Sequence, residues 1–180
     1  MSFSVPHYLD ASAVVPLLTR EAGTERIESY IRTKWSFHFS ITEFAFYEVL
    51  GVLKRKWKKK EIDNRRYESA IFVLEAYIDE KLIEIDTEFK PHDRRLIFEL
   101  GNLVRKHGID YSDALQIYSI THGKWKSQVG PCQTVLVTAD KDLIAAAKAE
   151  GLRVWEFPNG VAPESEEPQI AALRLKGPGR

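Results

Sequence analysis

The sequence contains a single cysteine, Cys132, among its 180 residues. One thiol can build neither an intrachain disulfide framework nor a cysteine-rich zinc site, and a reducing, cytoplasmic setting is the expectation. No apolar run is long enough to span a bilayer, so no membrane partner is expected. The opening MSFSVPHYLD has no basic stretch followed by an apolar core and does not read as a signal peptide. Net charge is missing too, because 26 Lys and Arg balance 26 Asp and Glu. That excludes a chain that coats nucleic acid by bulk charge, while leaving room for a local basic patch. The histidines, His7, His38, His92, His107 and His122, show neither HxxxH nor HExxH spacing, so core, surface or cap roles are expected of them. A P-loop, a GxGxxG turn and a GxSxG nucleophile elbow are all absent.

What is present is the composition of one globular domain, 44% hydrophobic and 29% charged. β-Compatible runs fall at Ser4–Leu9, Phe37–Ile41, Leu82–Ile85, Thr134–Thr138 and Leu152–Trp155. Helical patterns cover Ser12–Arg20, Glu25–Thr33, Thr42–Lys60, Asp63–Glu80, Lys90–His107, Ser112–His122 and Asp140–Glu150. Pro16 is expected near the first turn of its helix, where its missing N–H matters least. Strands alternating with helices predict an α/β fold, with a parallel sheet covered by helices on both faces. Sites in such folds lie at the carboxyl ends of the strands. From Pro158 onward prolines, glycines and mixed charge accumulate, and residues 158–180 read as a tail, loose or docked.

Four carboxylates fall where that edge would be. Asp10 follows the first strand and precedes a helix; it is either an N-cap or, if Ser12 caps instead, a free acid. Glu48 sits within an apolar helical stripe of Ile41, Phe44, Ala45 and Val52, so it needs a cation partner or a place at the edge of the stripe. Its rival Glu43 matches a capping box, Ser40-Ile41-Thr42-Glu43, and so has a structural task. Asp113 lies in a first helical turn that Asp110 could cap, and Asp140 opens the helix after the TVLVT strand with Asp142 as a second anion. An oxygen-rich set without cysteine or histidine suits Mg²⁺ or Mn²⁺. Separately, Lys54, Arg55, Lys56, Trp57, Lys58, Lys59 and Lys60 form a basic run with one aromatic. It reads equally as a solvated helix end and as an RNA-binding track, with Trp57 stacking on a base. Lys124-Trp125-Lys126 is a weaker candidate of the same kind.

Four blocks occur in order: YLDASAVVPLL, TEFAFYEVLGVLKRK, YSDALQIYSI and VLVTADKDLIAAAKAEGLRVW. Together they resemble the PIN-domain family, and within it the VapC-like toxins of type II toxin–antitoxin pairs, over about residues 5 to 157. The resemblance implies a PIN-like nuclease domain over 1–157, with a three-layer α/β/α fold around a five-stranded parallel sheet. It implies Asp10, Glu48, Asp113 and Asp140 as the acidic metal site, Asp142 as an auxiliary acid, and Ser12 and Thr138 as hydrogen-bonding supports. Mg²⁺- or Mn²⁺-dependent hydrolysis of RNA, a homodimer and a small antitoxin partner are the corresponding expectations. RNA processing without toxicity, and a non-catalytic RNA-binding or scaffold role, are the rival readings. The sequence departs from the pattern in a long charged stretch from Lys54 to Pro91 and in its tail.

Overall fold

The computed structural model describes residues 5–33, 37–90, 92–129 and 133–160. Ser4, Cys132, Pro91 and residues 161–180 of the expected tail lie outside them. The chain runs β1 (Val5–Leu9), α1 (Ala11–Thr19), α2 (Thr24–Thr33), β2 (Phe37–Thr42), α3 (Glu43–Lys58) and α4 (Asn64–Asp79). It continues through β3 (Glu84–Asp86), α5 (Arg94–His107), α6 (Tyr111–His122), β4 (Val135–Thr138), α7 (Lys141–Ala149) and β5 (Arg153–Glu156). The five strands form one sheet in the order β3-β2-β1-β4-β5, and every pairing is parallel.

β1 is the central strand, and all five of its residues are buried. Its side chains alternate between two cores, as the two-residue strand period requires. Leu9, Val137 and Trp155 belong to a core closed by α1, α2, α3 and α4, with Ile27, Ala45, Val49, Leu53 and Leu74 among its members. Tyr8 and Leu136 belong to the opposite core, closed by α5, α6 and α7 through Leu100, Ile117 and Leu143. The result is the expected three-layer α/β/α arrangement. His7 is fully buried in β1; burial pushes its imidazole pKa down to about 3, so it is neutral. Its Nδ1 bonds Val5 O at 2.9 Å and its Nε2 bonds the Tyr30 hydroxyl at 3.0 Å.

Several expected boundaries move, for identifiable reasons. The capping box is not formed. Ser40 pairs within β2, and Thr42 is the N-cap of α3, accepting from Ala45 N at 3.2 Å. Glu43 is therefore the first helical residue and cannot make the reciprocal capping contact. Pro16 lies inside α1 rather than in its first turn, because the helix already begins at Ala11. α5 starts at Arg94, capped by Asp93, and not at Lys90. The chain past β5 is tied down as far as it is described: Phe157 is buried, and Arg26 Nη1 donates to Pro158 O at 2.6 Å. Gly23 makes this closure possible. Its φ is +89°, and a Cβ there would lie 2.5 Å from Pro158 Cβ.

Candidate active site

The carboxyl ends of β1 and β4 are joined through side chains. Asp10 is 4% exposed, caps α1, and takes its backbone N–H bond to Val137 O at 3.0 Å. Its Oδ2 accepts from Ser12 N at 3.0 Å, from the Ser12 hydroxyl, and from Thr138 Oγ1 at 3.0 Å. Ser12 Oγ accepts from Ala139 N at 2.8 Å, and Thr138 Oγ1 accepts from Asp140 N at 3.0 Å. Ser12 and Thr138 thus stitch the β1–α1 turn to the β4–α7 turn. Ser12 does not replace Asp10 as cap; one carboxylate does both jobs. Asp140 likewise caps α7, its Oδ1 accepting from Asp142 N at 2.8 Å and Leu143 N at 3.0 Å.

The opposite wall comes from α3 and α6. Glu48 lies at the edge of the buried Ala45–Val49–Leu53 face, half-buried, and accepts from Ser112 Oγ at 3.0 Å. Asp110 caps α6, its Oδ1 accepting from Asp113 N at 3.3 Å and lying 3.1 Å from Ser112 Oγ. The single Ser112 proton is therefore shared between two carboxylates. The carboxylate of Asp113 itself has no hydrogen-bond partner among the described residues.

These groups line one cleft of about 300 Å³. Six carboxylates face it, from Asp10, Glu21, Glu48, Asp110, Asp113 and Asp140, and no lysine, arginine or histidine is in its lining. Glu21 is neutralised by Lys56 at 2.8 Å. The electrostatics record the imbalance. Burial, then the charges of Asp110, Asp10, Asp140 and Glu48, push Asp113 up to about 8. Burial, then Asp10 and Asp110, raise Glu48 against the opposing Ser112 hydrogen bond and the more distant Arg55. The acids are crowded here without a basic side chain in the lining to offset them.

All four acids singled out from the sequence border this cleft, with Ser12 also in its wall and Thr138 beneath Asp10. Asp142 is exposed in the first turn of α7 and is not part of the lining. Asp110 and Gln116 were missed as site residues. Gln116 is fully buried, and its Nε2 donates to Asp10 Oδ1 at 2.9 Å while its Oε1 has no partner among the described residues. The signal for both was helical spacing, since 110, 113 and 116 are three apart and share one helix face. The basic run contributes no residue to the lining, though Lys56 reaches its edge through Glu21. Lys56 is committed to Glu21 and to Glu61 at 3.4 Å, Trp57 stacks on Tyr67, and Lys54, Arg55, Lys58, Lys59 and Lys60 are exposed. Trp125 of the weaker basic candidate stacks on His38.

A family model described as PIN domain matches residues 7–149. The chain belongs to the PIN domain family. Its members are typically nucleases and generally use divalent metal ions. Among solved structures, the crystal structure of PAE2754 from Pyrobaculum aerophilum is similar in fold, with a TM-score of 0.56 at 20% identity over 93% of this chain and 90% of that one. No curated protein matches. No helix among the described residues is long and apolar enough to cross a membrane.

The donor set of this PIN domain fits a hard divalent ion. All the candidate donor atoms are carboxylate oxygens, and the neighbouring charges that, after burial, raise Asp113 and Glu48 are of the kind a cation would offset. Among the described residues, no three Asp, Glu, His or Cys side chains come close enough together, as they stand, to hold a metal ion. The cleft is an open one.

Proposed function

We propose that this PIN domain is a Mg²⁺- or Mn²⁺-dependent endoribonuclease, acting as the VapC-like toxin of a toxin–antitoxin pair. Six carboxylates around one cleft without a basic side chain in its lining are the observation that carries this reading. Asp10, Glu48, Asp113 and Asp140 would hold the ion. A bound divalent ion supplies neutralisation of the phosphate charge, acidification of water and stabilisation of the leaving oxygen.

The chain's own residues prepare the cleft. Ser12, Thr138 and Gln116 fix the Asp10 carboxylate and leave one Oδ1 lone pair uncommitted. Ser112 holds Glu48. Burial and the neighbouring acids push Asp113 up to about 8, so it would hold a proton at neutral pH until a divalent ion took its place. Water acidified by the ion would be the nucleophile, so no side-chain nucleophile is needed. Choice of RNA over DNA then rests on binding, since hydrolysis by water does not use the 2′-hydroxyl. A homodimer and a small antitoxin that covers the cleft complete the reading.

The test is cleavage of end-labelled single-stranded RNA with Mg²⁺ or Mn²⁺. Products with 3′-hydroxyl and 5′-phosphate ends, abolished by EDTA, are expected. Cyclic 2′,3′-phosphate ends or EDTA-insensitive cleavage would overturn the mechanism. Induced expression should arrest growth, with rescue by the neighbouring gene. Cleavage without arrest would favour RNA processing.

A further inference from the structure

Trp57 and Glu48 sit on the same helix but not on the same side of it. Nine residues separate them, which is two and a half turns, or about 14 Å of rise and opposite faces. Trp57 borders a second concavity, at the α3–α4 turn, that shares no lining residue with the acid cleft. This one is about 770 Å³, and Trp57, Lys58, Lys60, Asn64 and Arg65 border it over the buried Ile62.

Its chemistry is the reverse of the first. Lys58, Lys60 and Arg65 have no carboxylate partner among the described residues, whereas Lys56 next to them is committed to Glu21 and Glu61. Asp63, the acid in this lining, spends its Oδ1 on Arg66 N at 2.8 Å as the cap of α4. Trp57 is held rather than loose. Its Nε1 donates to Asn64 Oδ1 at 2.5 Å, and its ring stacks on Tyr67 at 5.5 Å between centroids and 30° between planes. The residue is nonetheless 40% exposed. A fixed, partly exposed indole ringed by uncommitted cations is a stacking platform with phosphate contacts beside it. Acidic peptides would use the cations but not the flat indole face.

We infer that the concavity at the α3–α4 turn is a binding subsite for single-stranded RNA, with a base on Trp57 and backbone phosphates on Lys58, Lys60 and Arg65. It rests on the nuclease reading for its purpose, as a subsite that would hold substrate outside the cleft. It does not rest on cleavage for its test.

Binding of a fluorescein-labelled oligouridylate, followed by anisotropy in EDTA across a salt series, reads the subsite with chemistry switched off. Trp57→Ala should weaken binding roughly tenfold, and Trp57→Phe, which keeps a stacking ring, should recover most of it. Replacing Lys58, Lys60 and Arg65 together by Ala, at exposed positions that leave the stacked pair untouched, should flatten the log–log salt slope by about 2. Wild-type affinity and slope in both Trp57→Ala and the triple variant would overturn the inference, even if the acid cleft cleaves RNA. Equal, Trp57-dependent binding of poly-glutamate would overturn it in favour of an acidic protein partner. RNA binding that depends on these residues in a protein that fails to cleave would uphold it while removing the nuclease reading.

Discussion

Replacing Asp113 by Asn isolates the cost of assembling the acid cleft. Burial and four neighbouring carboxylates raise this group from an ordinary 3.8 to about 8. Ionising it in the folded protein costs at most about 6 kcal/mol. The side chain is only partly buried and water screens its neighbours, so about 2 kcal/mol is the expected net. Near pH 4 and below, folded and unfolded chains both carry the proton and no difference arises. Between about pH 4 and 8 the folded protein keeps a proton that the unfolded chain has released, so wild-type stability falls as pH rises. Asn has no proton to keep and lacks this slope. For a chain of this size, about 2 kcal/mol corresponds to a rise in Tm of roughly 4–8 °C. Thermal unfolding in EDTA should therefore show Asp113→Asn melting above wild type at pH 8 to 9, with the gap closing towards pH 4. Mn²⁺ should narrow the gap at high pH, because it stabilises the wild type more. A variant no more stable than wild type at pH 9 without metal would refute the view that burial and neighbouring acids make the ionised Asp113 costly.

Other residues give sharper local tests. Gln116→Met should leave stability within about 1 kcal/mol, because removing the orphaned Oε1 offsets the lost bond to Asp10. The same variant should lose roughly tenfold or more in Mn²⁺-dependent cleavage, because Gln116 orients the carboxylate of Asp10 that is proposed to hold the ion; unchanged activity would return Gln116 to a packing role. Tyr8→Phe removes the hydroxyl that donates to buried Asp86 and should cost about 2 kcal/mol in urea denaturation, and a neutral result would contradict the assigned bond. The His7 imidazole should keep the NMR signature of a neutral ring down to pH 5, since its folded pKa is about 3, and stability linked to it should fall as pH drops below about 6.5. A His7 titration midpoint near 6.5 would contradict the buried ring.

The fold class was legible because the inner strands, TVLVT above all, are apolar runs alternating with helical patterns, whereas the stripe read as Ile41, Phe44, Ala45 and Val52 is in the structure the buried face Ala45–Val49–Leu53. The order β3-β2-β1-β4-β5 was not legible, because pairing depends on contacts between distant segments. The capping box failed at Ser40 because two cap candidates lay two residues apart. The choice between them was set by how far β2 pairs with β3, out to Thr42 opposite Asp86. The four acids do border one cleft, but capping and a place in that cleft were weighed as rivals. In the structure they coincide: a strand-to-helix turn at the sheet edge places the same carboxylate on the helix N–H groups and in the cleft, as at Asp10 and Asp140. That coincidence is also why Asp110, read only as a cap, was passed over. The basic run was visible as composition, but its division into a paired Lys56, a stacked Trp57 and free cations required the α3–α4 turn.

The claim that the acids form one metal site is tested most directly by Mn²⁺ binding, followed by electron paramagnetic resonance at neutral pH in the wild type, Asp10→Asn and Asp113→Asn. Binding in the wild type and at least tenfold weaker binding in both variants, with folding retained, is the result this structure predicts. Equal Mn²⁺ affinity in all three proteins would contradict it.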